Sequence, residues 1–71
     1  MQRTTLKSII KAINNDIKNG LIYVVIEDES HHYVCYNPID IYDDGLEIAF
    51  FDDDNNSIML YCDDIFSIKI L

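Results

Sequence analysis

The alternation of apolar and polar positions divides the chain into one helical segment followed by a run of short strands. Over residues 4–19, Leu6, Ile9, Ile10, Ile13 and Ile17 recur at helical spacing and make a single stripe, while Lys7, Lys11, Asn14 and Lys18 fall on the opposite side. Thr4 or Thr5 offers a hydroxyl cap at the start, and Asn19-Gly20 offers a left-handed stop. From there the period shortens. Runs rich in β-branched and aromatic residues at 21–28, 32–37, 39–42, 46–51, 57–62 and 65–70 predict strands, with 39–42 either separate or a continuation of the run before it. Turn signals lie between them: Glu27 to His31, Asn37-Pro38, Asp43-Asp44-Gly45, Asp52 to Asn56, and Cys62-Asp63-Asp64.

The stretch from Leu46 to Cys62 reads as the central hairpin. Leu46, Ile48 and Phe50 share one side of its first strand, and Ile58, Leu60 and Cys62 share one side of its second. Ala49, Phe51, Met59 and Tyr61 make the other side apolar too, which predicts that both faces are covered. The expected fold class is therefore α+β: an N-terminal helix packed on a small four- to five-stranded antiparallel sheet. That sheet is either an open meander or curled into an SH3-like or Sm-like barrel.

With 71 residues the chain is expected to be a single domain, 1–71, of thin stability margin. Apolar residues make up 49% of it, too many for a disordered acidic tail, so a net charge of −8 does not prevent folding. The charge is divided unevenly. Residues 1–18 hold four cations against Asp16, whereas residues 19–71 hold twelve carboxylates against Lys69. Such a surface disfavours direct binding of nucleic acid or of a membrane surface. No apolar run approaches the roughly 20 residues that span a bilayer, and a cytoplasmic protein is expected. Abundant Ile, Asn, Asp, Lys and Tyr fit an AT-rich genome, such as that of a low-GC bacterium or its phages.

Candidate chemistry is sparse. Counting Asp52 as the first position of a calcium loop puts Asp54, Asn56 and Asp63 at oxygen-ligand positions, but Ser57 stands where the bend needs glycine. Of His31, His32 and Cys35, only His31 and Cys35 share a strand side, a poor zinc arrangement. Cys35 and Cys62 read as small buried thiols, and two glycines allow no phosphate loop. No enzyme, cofactor or resident metal is expected. The tyrosines, Tyr23, Tyr33, Tyr36, Tyr42 and Tyr61, suit either the margin of a small core or an interface, and Tyr23 and Tyr33 are expected side by side on an outer face.

The expected function is non-catalytic binding to a larger protein with a basic surface, where carboxylates stand in for phosphates. Asp43, Asp44, Asp52, Asp53, Asp54, Asp63 and Asp64 would meet lysines and arginines, with Phe51 as an apolar anchor. In overall character, a short acidic domain of AT-rich composition, the chain resembles small phage or mobile-element inhibitors of host machinery, including anti-CRISPR and other DNA-mimic proteins. That resemblance implies an inhibitor that occupies a nucleic-acid channel. Two other classes remain: an SH3-like or Sm-like module that self-associates, as a homodimer through the closing edge strand Ile65 to Leu71, and a calcium-binding protein using residues 52–63.

Overall fold

A computed structural model describes residues 1–20 and 22–71, and the start predicted for the first strand at Leu21 lies outside the described residues. Helix α1 spans Arg3–Asn19, and among the described residues six strands follow: β1 Val24–Glu27, β2 His32–Cys35, β3 Asp40–Tyr42, β4 Glu47–Phe51, β5 Ser57–Tyr61 and β6 Ser67–Ile70. Single 3₁₀ turns, Asp43–Gly45 and Cys62–Asp64, precede β4 and follow β5. Among the described residues the strands form two antiparallel three-stranded sheets, ordered β2-β1-β6 and β3-β4-β5. The α+β class therefore holds. The pairing is neither a single meander nor a closed barrel, because β6 returns to β1 and takes Ser67 to Ile70 alongside Glu27 to Val24.

Period-two alternation decides which side of each sheet is buried. In the first sheet Val24, Ile26 and Cys35 are buried and Tyr33 shares their face; in the second Ile48, Phe50 and Leu60 are buried. The two inner faces meet, with the Tyr33 ring edge-on to Phe50 at 5.9 Å between centroids. Leu6, Ile10 and Ile13 of α1 complete the same core. Each large side chain removed from water in this way contributes about 1.5–3 kcal/mol.

The helix is tied to the second sheet at three further points. Lys7 Nζ lies 2.6 Å from Asp44 Oδ1. Asn14, predicted on the exposed side, instead donates to the Ile39 carbonyl and accepts from the Ile39 N–H, both at 2.8 Å. Those bonds satisfy the backbone of Ile39, which lies between Pro38 and the start of β3. Gly45 has φ +93°, and a Cβ there would stand 2.9 Å from both the Arg3 carbonyl and Lys7 Cγ.

Several local expectations are corrected. Thr4 and Thr5 lie inside the first helical turn, Gln2 occupies the cap position, and no side chain caps it. Gly20 ends the helix in an extended conformation, φ 179°, with its N–H on the Asp16 carbonyl, so the stop is not left-handed. Strand β2 ends at Cys35 rather than Asn37, where the Cys35 thiol donates to the Asn37 carbonyl at 3.1 Å. Tyr23 packs on Tyr36 at 5.6 Å, while Tyr33 turns inward, because the β1–β2 register sets Tyr33 opposite the buried Ile26.

The largest correction concerns the greasy outer side of the central hairpin. One helix has one apolar stripe, and it seals only the inner side. Phe51 is 51% exposed, Met59 60% and Tyr61 52%.

Gly45→Ala is expected to lower stability by about 1–3 kcal/mol, since it meets both a left-handed φ and the helix backbone. Gly20→Ala, with open space and extended backbone, should stay within about 0.5 kcal/mol of the parent. Urea denaturation of the two variants measures the difference, and equal midpoints would contradict the close packing of Gly45 under α1.

Candidate binding face and its acidic rims

The two sheets present very different outer surfaces. On the first, Glu27 gathers its neighbours: Lys69 Nζ at 3.1 Å, His32 Nδ1 at 3.1 Å and the Ser67 hydroxyl donating at 3.0 Å. The Lys69 ammonium, followed by the Ser67 hydroxyl, holds the Glu27 carboxyl below its usual range. This is an ordinary solvated face, knit across its strands.

On the second sheet the register aligns Tyr42, Glu47 and Tyr61 in one row and Asp40, Ala49 and Met59 in the next, with Phe51 opposite Ser57 beyond. All of these point away from the core by alternation. Tyr42, Phe51, Met59 and Tyr61 are about half exposed or more, which gives the sheet a broad aromatic and thioether surface in water. Isolated exposed apolar side chains are common, whereas here several share one sheet face, which makes that face the candidate for a contact.

Carboxylates close both ends of this face. The turn Asp43–Gly45 and the turn Cys62–Asp64 sit at the same end, since Glu47 pairs with Tyr61 and the Cys62 N–H donates to the Leu46 carbonyl at 2.8 Å. Asp43, Asp44, Asp63 and Asp64 are thereby gathered. Asp52, Asp53 and Asp54 lie at the other end, four strand steps away, or roughly 13 Å. The sequence-derived set thus forms two clusters, with Phe51 beside the second.

These carboxylates do different work. Asp52 Oδ1 accepts the N–H groups of Asp54 at 3.0 Å and Asn56 at 2.7 Å, which fixes the hairpin loop and lets Asn55 take φ 68°. The Asn56 N–H keeps the Asp52 carboxyl below its ordinary range. Asp44 is lowered in the same way by Lys7. Asp28 Oδ1 accepts from the Ser30 and His31 N–H groups at 2.9 and 2.7 Å, and the Ser30 bond chiefly lowers it. Asp53, Asp54, Asp63 and Asp64 are exposed and form no salt bridge among the described residues.

The calcium-loop expectation is corrected by this geometry. Strand β5 runs between Asn56 and Asp63, so the carboxylate needed at the twelfth position stands at the far end of the hairpin from Asp52. Among the described residues there is no group of three or more His, Cys, Asp or Glu arranged to hold a metal ion. Cys35 and Cys62 are both buried, and burial pushes the Cys35 thiol up, away from the thiolate that a nucleophile requires.

An open cleft of about 340 Å³ adjoins the face at its β5 edge, between the Asp28–His31 turn and Phe66. Its walls include Met59, Tyr61 and Phe66, with Glu29, Asp63 and Asp64 around them. Of these, the sequence-derived site contained only Asp63 and Asp64. The cleft is built by the return of β6 to β1, with the Phe66 N–H on the Glu27 carbonyl at 2.8 Å, a long-range pairing that no local motif signals. No family model, curated protein or solved structure matches the chain.

Acid titration tests the two carboxylate-held turns. A carboxyl depressed in the folded state leaves the unfolded chain binding more protons, so stability is present above about pH 4 and is lost as pH falls through the folded values. The melting temperature should drop between about pH 5 and 3, and the drop should be shallower in Asp28→Asn/Asp52→Asn. An unchanged slope in that variant would show that neither turn depends on its carboxylate.

Proposed function

We propose that this chain is a non-catalytic binding protein that occupies a basic, nucleic-acid-binding surface of a larger protein in the cytoplasm. One feature carries the proposal: the outer face of β3-β4-β5 exposes Tyr42, Phe51, Met59 and Tyr61 between two groups of carboxylates. Aromatic and methionine side chains supply desolvation at the centre of an interface, and charge at its border selects and steers the partner. With thirteen acids against five Lys and Arg, that partner surface is basic. Exposed carboxylates at two ends of a sheet then compete for cations that otherwise hold phosphates.

Within this proposal Asp53 and Asp54 at one end, and Asp63 and Asp64 at the other, are the groups free to meet a partner. Asp44 and Asp52 serve the fold first. The biological setting that fits is inhibition of host machinery by a phage or mobile element, in the manner of anti-CRISPR and DNA-mimic proteins. None of the described helices is long and apolar enough to cross a membrane.

A second reading, self-association, draws on β6. It is an edge strand among the described residues, and Ile70 and Leu71 at its end are 55% and 77% exposed. Sedimentation velocity over a hundredfold range of concentration separates the two readings: a constant monomer favours the binder, and a concentration-dependent dimer favours the module.

The binder is tested by immobilising the protein, capturing proteins from a bacterial lysate, and eluting with either duplex DNA or salt. The expected result is a captured nucleic-acid-binding protein released by both, with release at about 0.3 M salt. Asp53→Asn/Asp54→Asn/Asp63→Asn/Asp64→Asn should retain at least about tenfold less of it. Retention that ignores DNA, salt and these substitutions would overturn the proposal.

A further inference from the structure

The cleft beside β5 combines three properties that narrow its occupant. Tyr61 and Phe66 are large, flat and 52% and 69% exposed, and Met59 is 60% exposed, so the lining offers aromatic and thioether surface to an incoming group beside the polar side chains of the Asp28–His31 turn. Glu29, Asp63 and Asp64 border it and are exposed, and no lysine or arginine of the described residues forms a salt bridge with any of them. Strand β5 is paired only with β4 among the described residues, so its second edge opens on the cleft. At about 340 Å³ the space is at the small end for ligand clefts, a size that suits one long side chain better than a cofactor.

The walls are also held in place. Cys62 N–H donates to the Leu46 carbonyl at 2.8 Å and Phe66 N–H to the Glu27 carbonyl at 2.8 Å, which fixes the segment 62–66 at both ends. Opposite it, Asp28 holds the turn through the Ser30 and His31 N–H groups. Little ordering is needed on binding, which favours a preformed pocket.

We propose that this cleft receives an arginine side chain from an extended, basic segment of a partner protein. A guanidinium is planar and weakly hydrated; it stacks on aromatic faces while its edge forks onto carboxylates. Lysine offers a strongly hydrated point charge and gains less from the flat rings of Tyr61 and Phe66. The segment carrying the arginine lies along the free edge of β5. This deepens the function proposed above and rests on it, since it names the chemistry by which a basic partner is gripped.

The test is a ¹H–¹⁵N titration of the whole protein at low salt with the blocked peptides Ac-Arg-Arg-Arg-amide and Ac-Lys-Lys-Lys-amide. Shift changes are expected at Glu29, Tyr61, Asp63, Asp64 and Phe66, little change is expected at Asp52 to Asp54, and the arginine peptide should bind about fivefold tighter. Phe66→Ala, an exposed substitution whose folding the same spectrum verifies, should reduce that preference to about twofold or less. Equal binding of the two peptides with changes spread over both carboxylate clusters would overturn the arginine cleft and leave the basic-partner proposal standing. No response to either peptide would overturn both.

Discussion

The single apolar stripe of α1 is the constraint from which the rest follows. Two small sheets, each with one inner face, cannot bury those faces against each other completely in a chain of 71 residues, and Leu6, Ile10 and Ile13 fill what is left. Because a helix of this kind is apolar on one side only, it can seal one layer and no more. The first sheet copes by making its solvent side polar around Glu27. The second sheet does not, and its aromatic outer side is the consequence.

The carboxylates divide along the same line. Glu27, Asp28, Asp44 and Asp52 each hold a turn, a strand or the helix through short hydrogen bonds, and each is drawn below the ordinary carboxylate range by those bonds. Glu29, Asp53, Asp54, Asp63 and Asp64 have no salt bridge among the described residues and stand exposed around the uncovered face. A small protein gains solubility from such charge whatever else it does. Their placement around Met59, Tyr61, Phe51 and Phe66, together with the excess of acids over Lys and Arg, is what the proposed basic partner rests on.

Helix, turn and strand identities were legible because each depends on neighbours in sequence. The Leu6-to-Ile17 stripe, Asp43-Asp44-Gly45 and the alternation around Ile48 and Leu60 all carry local signals. Pairing across long separations was not legible. The return of β6 to β1 has no sequence signature, and it decides both the two-sheet architecture and the position of Phe66. Asn14 was misplaced for a related reason: its use depends on Ile39 arriving beside it. Coverage of the second sheet's outer side was over-predicted, since alternation shows that a face is apolar and not whether anything remains in the chain to cover it. Only part of the candidate site was therefore visible beforehand: the acids and Phe51, but not Glu29, Met59, Tyr61 and Phe66 as walls of one cleft.

The most direct measurement of the central claim is solvent paramagnetic relaxation with an inert gadolinium chelate on dilute protein, read at side-chain methyl and aromatic resonances. The account predicts strong enhancement at the Met59 methyl and the Phe51 and Tyr61 rings, and near silence at Leu6, Ile10 and Ile48. Protection of Met59 and Tyr61 equal to that of Ile48 would contradict it.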